Sequence, residues 1–350
     1  MPVDRRQFLA APVAWAALPL LAVAQDGPAV ELVTSPRRVF KIPDYGKEDT
    51  EAWIFSLVVQ TGDASPMVVE SLRIDYQAGD RPVKSEILAP RDPTPALRPA
   101  AADMNGHPLP APLYRPLFHR VRGKEERASD VDLAVITLRG RLADVAFERS
   151  LRVPITRYTP HNAFTSPVRG PLLIKASQAI DGGHRNRSGQ FAFDIFPLTP
   201  SYGVLVGASA ERNEDLAGYG RDVLAPAAGV VVSAITDRPD QPRPGVNDEA
   251  LYNPVYASGG DVGNSIVLDH GHGEFSMIAH LKPGSVAVRV GDRVEQGQVV
   301  GQIGNSGDTT APHLHYQLQD GPDWRYSDAL PVSFSDIPQN LYRGDLVETR

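Results

Sequence analysis

Thirty-two prolines and 30 glycines break this 350-residue chain into short apolar runs, and that punctuation leaves little room for long helices. Proline inside a helix removes a hydrogen bond and clashes with the preceding turn, whereas turns between short strands accept both residue types. The runs themselves read as strands: Trp53-Ile54-Phe55-Ser56-Leu57-Val58-Val59, Ser265-Ile266-Val267-Leu268 and Val299-Val300-Gly301-Gln302-Ile303 are apolar, short and bounded by turn residues. The expectation is a mainly β protein, and the length allows about two domains.

Residues 25–158 read as an immunoglobulin-like β-sandwich. Leu72, Ile74 and Tyr76 alternate with polar residues, as do Leu133 and Val135, and Leu151, Val153 and Ile155 close the set. Residues 90–116, rich in proline and alanine, show no strand pattern and are expected to form a long loop. His107 and His119 stand isolated in this half and suggest no chemistry. Residues 158–171 look like a linker. Residues 159–335 form the second, again β-rich, domain; its long polar segment 236–261 is the kind of loop that walls a groove. Residues 336–350 read as a polar, peripheral tail.

The first 24 residues are read as an export signal rather than as part of the fold. Arg5-Arg6-Gln7-Phe8-Leu9 is a twin-arginine start, an apolar stretch runs on to Val23, and Ala22-Val23-Ala24 offers a small-x-small cleavage site before Gln25. An uncleaved anchor is the competing reading. Export places the protein in the periplasm or outside the cell, with no membrane span after signal removal. The chain has no cysteine, which excludes disulfides, thiolate metal sites and a cysteine nucleophile. Any metal must be held by His, Asp, Glu or neutral oxygens. Without the signal, 33 basic residues face 41 acidic ones, a net −8. Such a balance argues against nucleic acid as a partner and offers no basic patch to an anionic membrane.

Five of the nine histidines fall between His270 and His315. His313 and His315 form Ala-Pro-His-Leu-His-Tyr, and His280 sits in Ile-Ala-His-Leu. On a strand, a His-x-His pair puts both imidazoles on one face. Leu314 points the other way, and Tyr316, Gln317 and Leu318 continue the strand. Two imidazoles converging on one small space make a metal site or an acid/base pair.

Read as one string, the second domain has Leu224-Ala225-Pro226-Ala227-Ala228-Gly229-Val230-Val231, then Gly263-Asn264-Ser265 to His270-Gly271, then Ile278-Ala279-His280-Leu281. Val290-Gly291-Asp292 to Gly297-Gln298 follows, and the series ends in Gly304-Asn305-Ser306-Gly307 and Ala311-Pro312-His313-Leu314-His315-Tyr316. This order resembles the lysostaphin-like (LytM-domain) zinc metallopeptidases, which cut peptide cross-links in bacterial cell walls. The resemblance covers about half the chain. It implies a β-rich domain of the duplicated hybrid motif type with an open groove, a Zn2+ cofactor, and peptidoglycan peptides as substrate. Carried over by position, Asp194 and His315 are metal ligands, and His280 and His313 are the catalytic pair.

One position departs from the family's His-x-x-x-Asp motif: four residues before Asp194 stands Gln190, and an amide oxygen is a poor zinc ligand beside imidazole. Three readings stay open. His184, the nearest upstream histidine, supplies the missing ligand; Gln190 ligates or orients a bound water; or the metal has been lost and the domain only binds wall peptides or activates another wall hydrolase. Other chemistries fit less well. Asp269-His270-Gly271-His272 reads as an exposed hairpin tip rather than a metal pair. The glycines lack the strand–loop–helix context of a phosphate loop, and no Gly-x-Ser-x-Gly elbow is present.

Overall fold

The computed structural model describes residues 28–43, 50–61, 65–88, 100–102, 108–126, 130–177, 184, 188–252, 261–337 and 340–349. The segment read as an export signal and His107 lie outside them. Among the described residues the only helical elements are two single turns, Asn213–Asp215 and Glu249–Leu251. No helix there is long and apolar enough to cross a membrane. The protein is mainly β, as the proline and glycine punctuation implies.

The N-terminal half holds β1 (Val30–Ser35), β2 (Val39–Pro43), β3 (Thr50–Thr61), β4 (Met67–Ala78), β5 (Arg81–Leu88), β6 (Ala100–Ala102), β7 (Pro108–Glu126), β8 (Leu133–Leu142) and β9 (Val145–Arg157). One antiparallel group runs β5-β4-β8-β9, and another joins β1, β3, β7 and β6. β2 bridges them, parallel to β9 and antiparallel to β3. Both groups feed one apolar core, in which Trp53, Phe55, Leu57 and Val59 of β3 meet Leu72, Ile74 and Tyr76 of β4 and Ala134, Ile136 and Leu138 of β8.

The long loop expected over residues 90–116 is corrected in part: β7 begins at Pro108 and pairs Leu113 with Gln60 and Tyr114 with Val59. Pro108, Pro110, Pro112 and Pro116 all fall on even positions. The register of β7 shifts against β6 between Pro108 and Leu113 and against β3 between Tyr114 and Phe118, and irregular pairing of this kind accommodates residues that lack an N–H donor.

The second half holds β10 (Gly170–Ala176), β11 (Phe193–Pro197), β12 (Asp222–Leu224), β13 (Gly229–Ile235), β14 (Asn264–Asp269), β15 (Phe275–Leu281), β16 (Arg293–Val294), β17 (Val299–Gln302), β18 (Leu314–Gln319), β19 (Ala329–Leu330) and β20 (Leu346–Thr349). Its main sheet is antiparallel, in the order β16-β13-β14-β15-β18-β11-β10-β20, with β19 beside β18; β12 and β17 form a separate pair. Residues 336–350 are therefore not a peripheral tail. β20 is the sheet's edge strand, and Ile337, Leu341 and Val347 are buried in its core. Apolar residues placed every few positions were enough to dock a segment that looks polar on average.

Two further expectations change. Residues 158–171 are a strap rather than a free linker. Phe164 and Val168 are buried, and Glu274, itself fully buried, accepts hydrogen bonds from Tyr158 Oη (2.7 Å), the His161 amide (2.6 Å) and Asn162 Nδ2 (2.6 Å). The two halves also share a core: Phe40, Ile42, Ala52 and Ile54 join the second half's apolar cluster. β3 is thus covered on both faces. Trp53, Phe55, Leu57 and Val59 pack into the N-terminal core and Ala52 and Ile54 against the second half, which helps explain why the strand reads as a continuous apolar run.

Candidate metal centre

The second half's main sheet places the family-like residues on adjacent strands. Asp194 on β11 and His315 on β18 are direct cross-strand partners, and Ala279 on β15 opposes His315 from the other side. Cross-strand partners project to the same face, so Asp194 and His315 meet without help from any loop.

His280 needs a special backbone to join them. Ala279 faces His315, so strict alternation would send His280 to the opposite, core side with Ile278. Between Asn264↔Leu281 and Ile266↔Ile278 the register shifts, leaving one extra residue on β15. His280 occupies that bulge with φ 62°. A β-bulge re-aims a side chain, and a non-glycine residue in the left-handed region is uncommon and costly unless its surroundings hold it. Here the His280 ring reaches 4.9 Å from that of His313 and 5.7 Å from that of His315, centroid to centroid.

His184 Nε2 lies 3.4 Å from Asp194 Oδ1, and His315 Nδ1 lies 3.3 Å from the same oxygen. One donor atom from each of the three residues falls within 4.8 Å of the others. These separations are long for N–H···O hydrogen bonds. They match the edge of a tetrahedron, roughly 3.3 Å, drawn around a zinc ion with ligands about 2.0–2.1 Å away. Two imidazoles and one carboxylate are also a donor set that zinc accepts. His313 Nε2 borders the same space, 3.4 Å from Asp194 Oδ1. The side chains of His184 and Asp194 are 22% and 20% exposed, so the cluster keeps an open side.

Residues 212–327 match the sequence model of peptidase family M23. The chain carries an M23 domain. Over 75 residues it is 39% identical to the peptidoglycan DD-endopeptidase ShyA of Vibrio cholerae, covering 19% of this chain and 17% of that protein. Over 99 residues it is 33% identical to the peptidoglycan DD-endopeptidase ShyC of the same organism, covering 28% of this chain and 19% of that protein. The shared stretch is thus less than a fifth of the length of either relative. Among solved structures, the catalytic domain of the prophage-encoded M23 protein EnpA of Enterococcus faecalis aligns with 48% of this chain and 94% of its own, at 18% identity and a TM-score of 0.30. A score at that level adds nothing to the reading of the site. The stretch matched to the family contains His280, His313 and His315; His184 and Asp194 lie before it.

Electrostatics within the cluster set the protonation states. Burial opposes charge on Asp194, but His313 and His184 outweigh it and hold the carboxyl well below the usual range. Burial likewise opposes charge on His313, yet the Asp194 carboxylate wins and its pKa is raised. His280 and His315 are pushed down, chiefly by burial. His280 Nδ1 meets Ser306 O at 2.9 Å and His313 Nδ1 meets Ala311 O at 2.7 Å. A carbonyl can only accept, so both imidazoles carry a proton on Nδ1, and a neutral ring presents an Nε2 lone pair.

Gln190 Nε2 donates to the Ile54 carbonyl of β3 at 3.0 Å, so this side chain joins the two halves of the molecule. The Asp269–His272 turn is corrected in half. His272 is exposed, with φ 57°, and stacks on His161. His270 is buried, its Nδ1 2.8 Å from Ala228 O and its Nε2 2.8 Å from Ser276 Oγ, and it takes no part in the cluster.

Sequence reasoning missed the supports of the M23 site. Phe196 stacks on His313, with ring centroids 5.0 Å apart, and Thr309 Oγ1 sits 3.3 Å from His313 Nδ1. The loop carrying Ser306 and Thr309 is latched by Gln241, whose Nε2 donates to Gly307 O at 2.8 Å; the described part of 236–261 thus braces the histidines from behind. Gln317 and Gln319 were missed as well, though the period-two run His313, His315, Gln317, Gln319 was in plain view.

Proposed function

We propose that this protein is an exported zinc metalloendopeptidase that hydrolyses peptide bonds in the stem peptides or cross-links of peptidoglycan. The observation that carries this reading is the spacing of His184 Nε2, His315 Nδ1 and Asp194 Oδ1, each imidazole nitrogen 3.3–3.4 Å from one shared carboxylate oxygen. His184, Asp194 and His315 hold the metal. When bound, Zn2+ polarises a scissile carbonyl and brings the pKa of a water from 15.7 to about 7. Peptidoglycan is favoured as substrate because the two Vibrio cholerae relatives are named peptidoglycan endopeptidases. Export rests on the twin-arginine segment.

His313 and His280 move protons. Each has its Nδ1 proton committed to a backbone carbonyl, so each works through Nε2. His313, raised by Asp194 and stacked on Phe196, takes a proton and holds it as an imidazolium beside the carboxylate. His280, kept neutral by burial, faces the same space from the bulge and shares the proton or donates to the developing oxyanion.

Purified protein is expected to hold about one zinc per chain, the stoichiometry of a single site with three protein ligands. That zinc is expected to be lost in His315→Ala and strongly weakened in His184→Ala, with release of peptides from sacculi lost in both. Metal-free wild-type protein that still binds sacculi would instead support a wall-binding module or an activator of another wall hydrolase. Unchanged zinc affinity in His184→Ala would remove that residue from the site.

A further inference from the structure

On β18 the polar side chains continue past the histidines into a chain of amides. His315 Nε2 lies 2.9 Å from Gln317 Oε1, Gln317 Nε2 donates to Gln319 Oε1, and Gln319 Nε2 donates to Gly321 O at 2.7 Å. Residues two apart on a strand share a face, so the three side chains lie in a row. Gln317 is 2% exposed and Gln319 fully buried, so water cannot substitute for a missing partner.

The row has a direction. Gly321 O is a carbonyl and can only accept, so Gln319 must present its NH2 there and its oxygen toward Gln317. Gln317 must then present its NH2 to Gln319 and its oxygen to His315. An amide flip at either glutamine would set two acceptors or two donors face to face in a buried place, at a cost of about 1–3 kcal/mol. The only polarity that satisfies every atom puts the His315 proton on Nε2.

We infer that Gln317 and Gln319 are positioning residues that lock His315 as its Nε2–H tautomer and so commit its Nδ1 lone pair to the metal space. The inference rests on the metal reading and deepens it. With the proton on Nε2, Nδ1 has no hydrogen for Asp194 Oδ1, 3.3 Å away. Two acceptors face each other across that gap, and a cation between them turns the repulsion into coordination. The backbone carbonyl of Gly321 thereby acts through two amides on the ligand atom of His315. Outer partners of this kind orient a ligand imidazole and raise its basicity.

The test uses the full chain. In metal-free wild-type protein with 15N-labelled histidine, long-range 15N–1H spectra are expected to show His315 as the Nε2–H tautomer; the Nδ1–H tautomer there would overturn the inference. This reading needs no variant to fold and no metal to bind, so it stands apart from the zinc proposal, which fails if the wild type takes up no zinc. In competition with a chelator, Gln317→Met is expected to bind zinc about 10–100-fold more weakly, the usual cost of removing an outer partner. Gln317→Glu keeps the acceptor for His315 but loses the donor to Gln319 Oε1, so it is expected to keep the Nε2–H tautomer while restoring only part of that loss. Gln319→Met is expected to give a mixture of His315 tautomers and a smaller loss of affinity. Gln317→Met with unchanged zinc affinity, or Gln317→Glu without the Nε2–H tautomer at His315, would reject the relay.

Discussion

β8 in the N-terminal half and β18 in the M23 domain carry the same kind of sequence. Ala134, Ile136 and Leu138 alternate with Val135, Thr137 and Arg139; Leu314, Tyr316 and Leu318 alternate with His315, Gln317 and Gln319. Each strand sends its apolar set into a core. The other faces differ: on β8 it is half-buried to exposed, whereas on β18 every residue is buried. On β8 the polar residues sit where water can complete their hydrogen bonds. On β18 they are out of water, and each must be satisfied by protein or by a ligand. A polar face retained under burial is therefore evidence of chemistry, and an identical alternation under solvent is not.

The largest effect expected from this contrast is catalytic. His313→Ala and His280→Ala should each lower peptide release from sacculi by about 10²–10⁴-fold, the range for loss of a general acid or base. Zinc content should stay near that of the wild type, because neither residue is assigned as a ligand. If either variant loses its zinc, that histidine is a ligand, and the division between ligands and proton carriers must be redrawn.

Much of this was legible beforehand, and the failures have physical causes. The strand content and the His-x-His face follow from period two, whereas the pairing of Asp194 with His315 came through the family resemblance. His280 was found only through resemblance, since alternation alone points it to the wrong side; the bulge that rescues it depends on a neighbouring strand's register. His184 sits in a segment with no periodicity, so distance in sequence gave no measure of distance in space. Whether the polar face of β18 was wet or dry depends on what covers it, and that is a tertiary fact. The final strand, β20, was missed because its inward set is only Val347 and Thr349, too short an alternation to stand out in a polar segment.

The next effect separates packing from surface on β8. Ile136→Ala, at a fully buried position, should cost about 2–5 kcal/mol in urea unfolding, the sum of lost transfer energy and the cavity left behind. Thr137→Ala should change stability by no more than about 0.5 kcal/mol, because its Oγ1 contact with Ser150 Oγ (3.1 Å) is exposed to water. Neither should alter zinc affinity. Comparable costs for the two would mean that the outer face of β8 is covered in solution, and its contrast with β18 would disappear.

The smallest effect is the most discriminating about the departed motif position. Gln190→Met keeps the side chain's length and removes the donor to Ile54 O. The loss should be that of one buried hydrogen bond, about 1 kcal/mol. Zinc affinity should stay within about twofold, since ligand identity and not this contact fixes the site. The position four before Asp194 would then serve to hold the N-terminal half against the M23 domain, with His184 supplying the imidazole that a histidine there would give. A tenfold fall in zinc affinity at unchanged stability, by contrast, would return Gln190 to the metal centre and leave the Ile54 contact incidental.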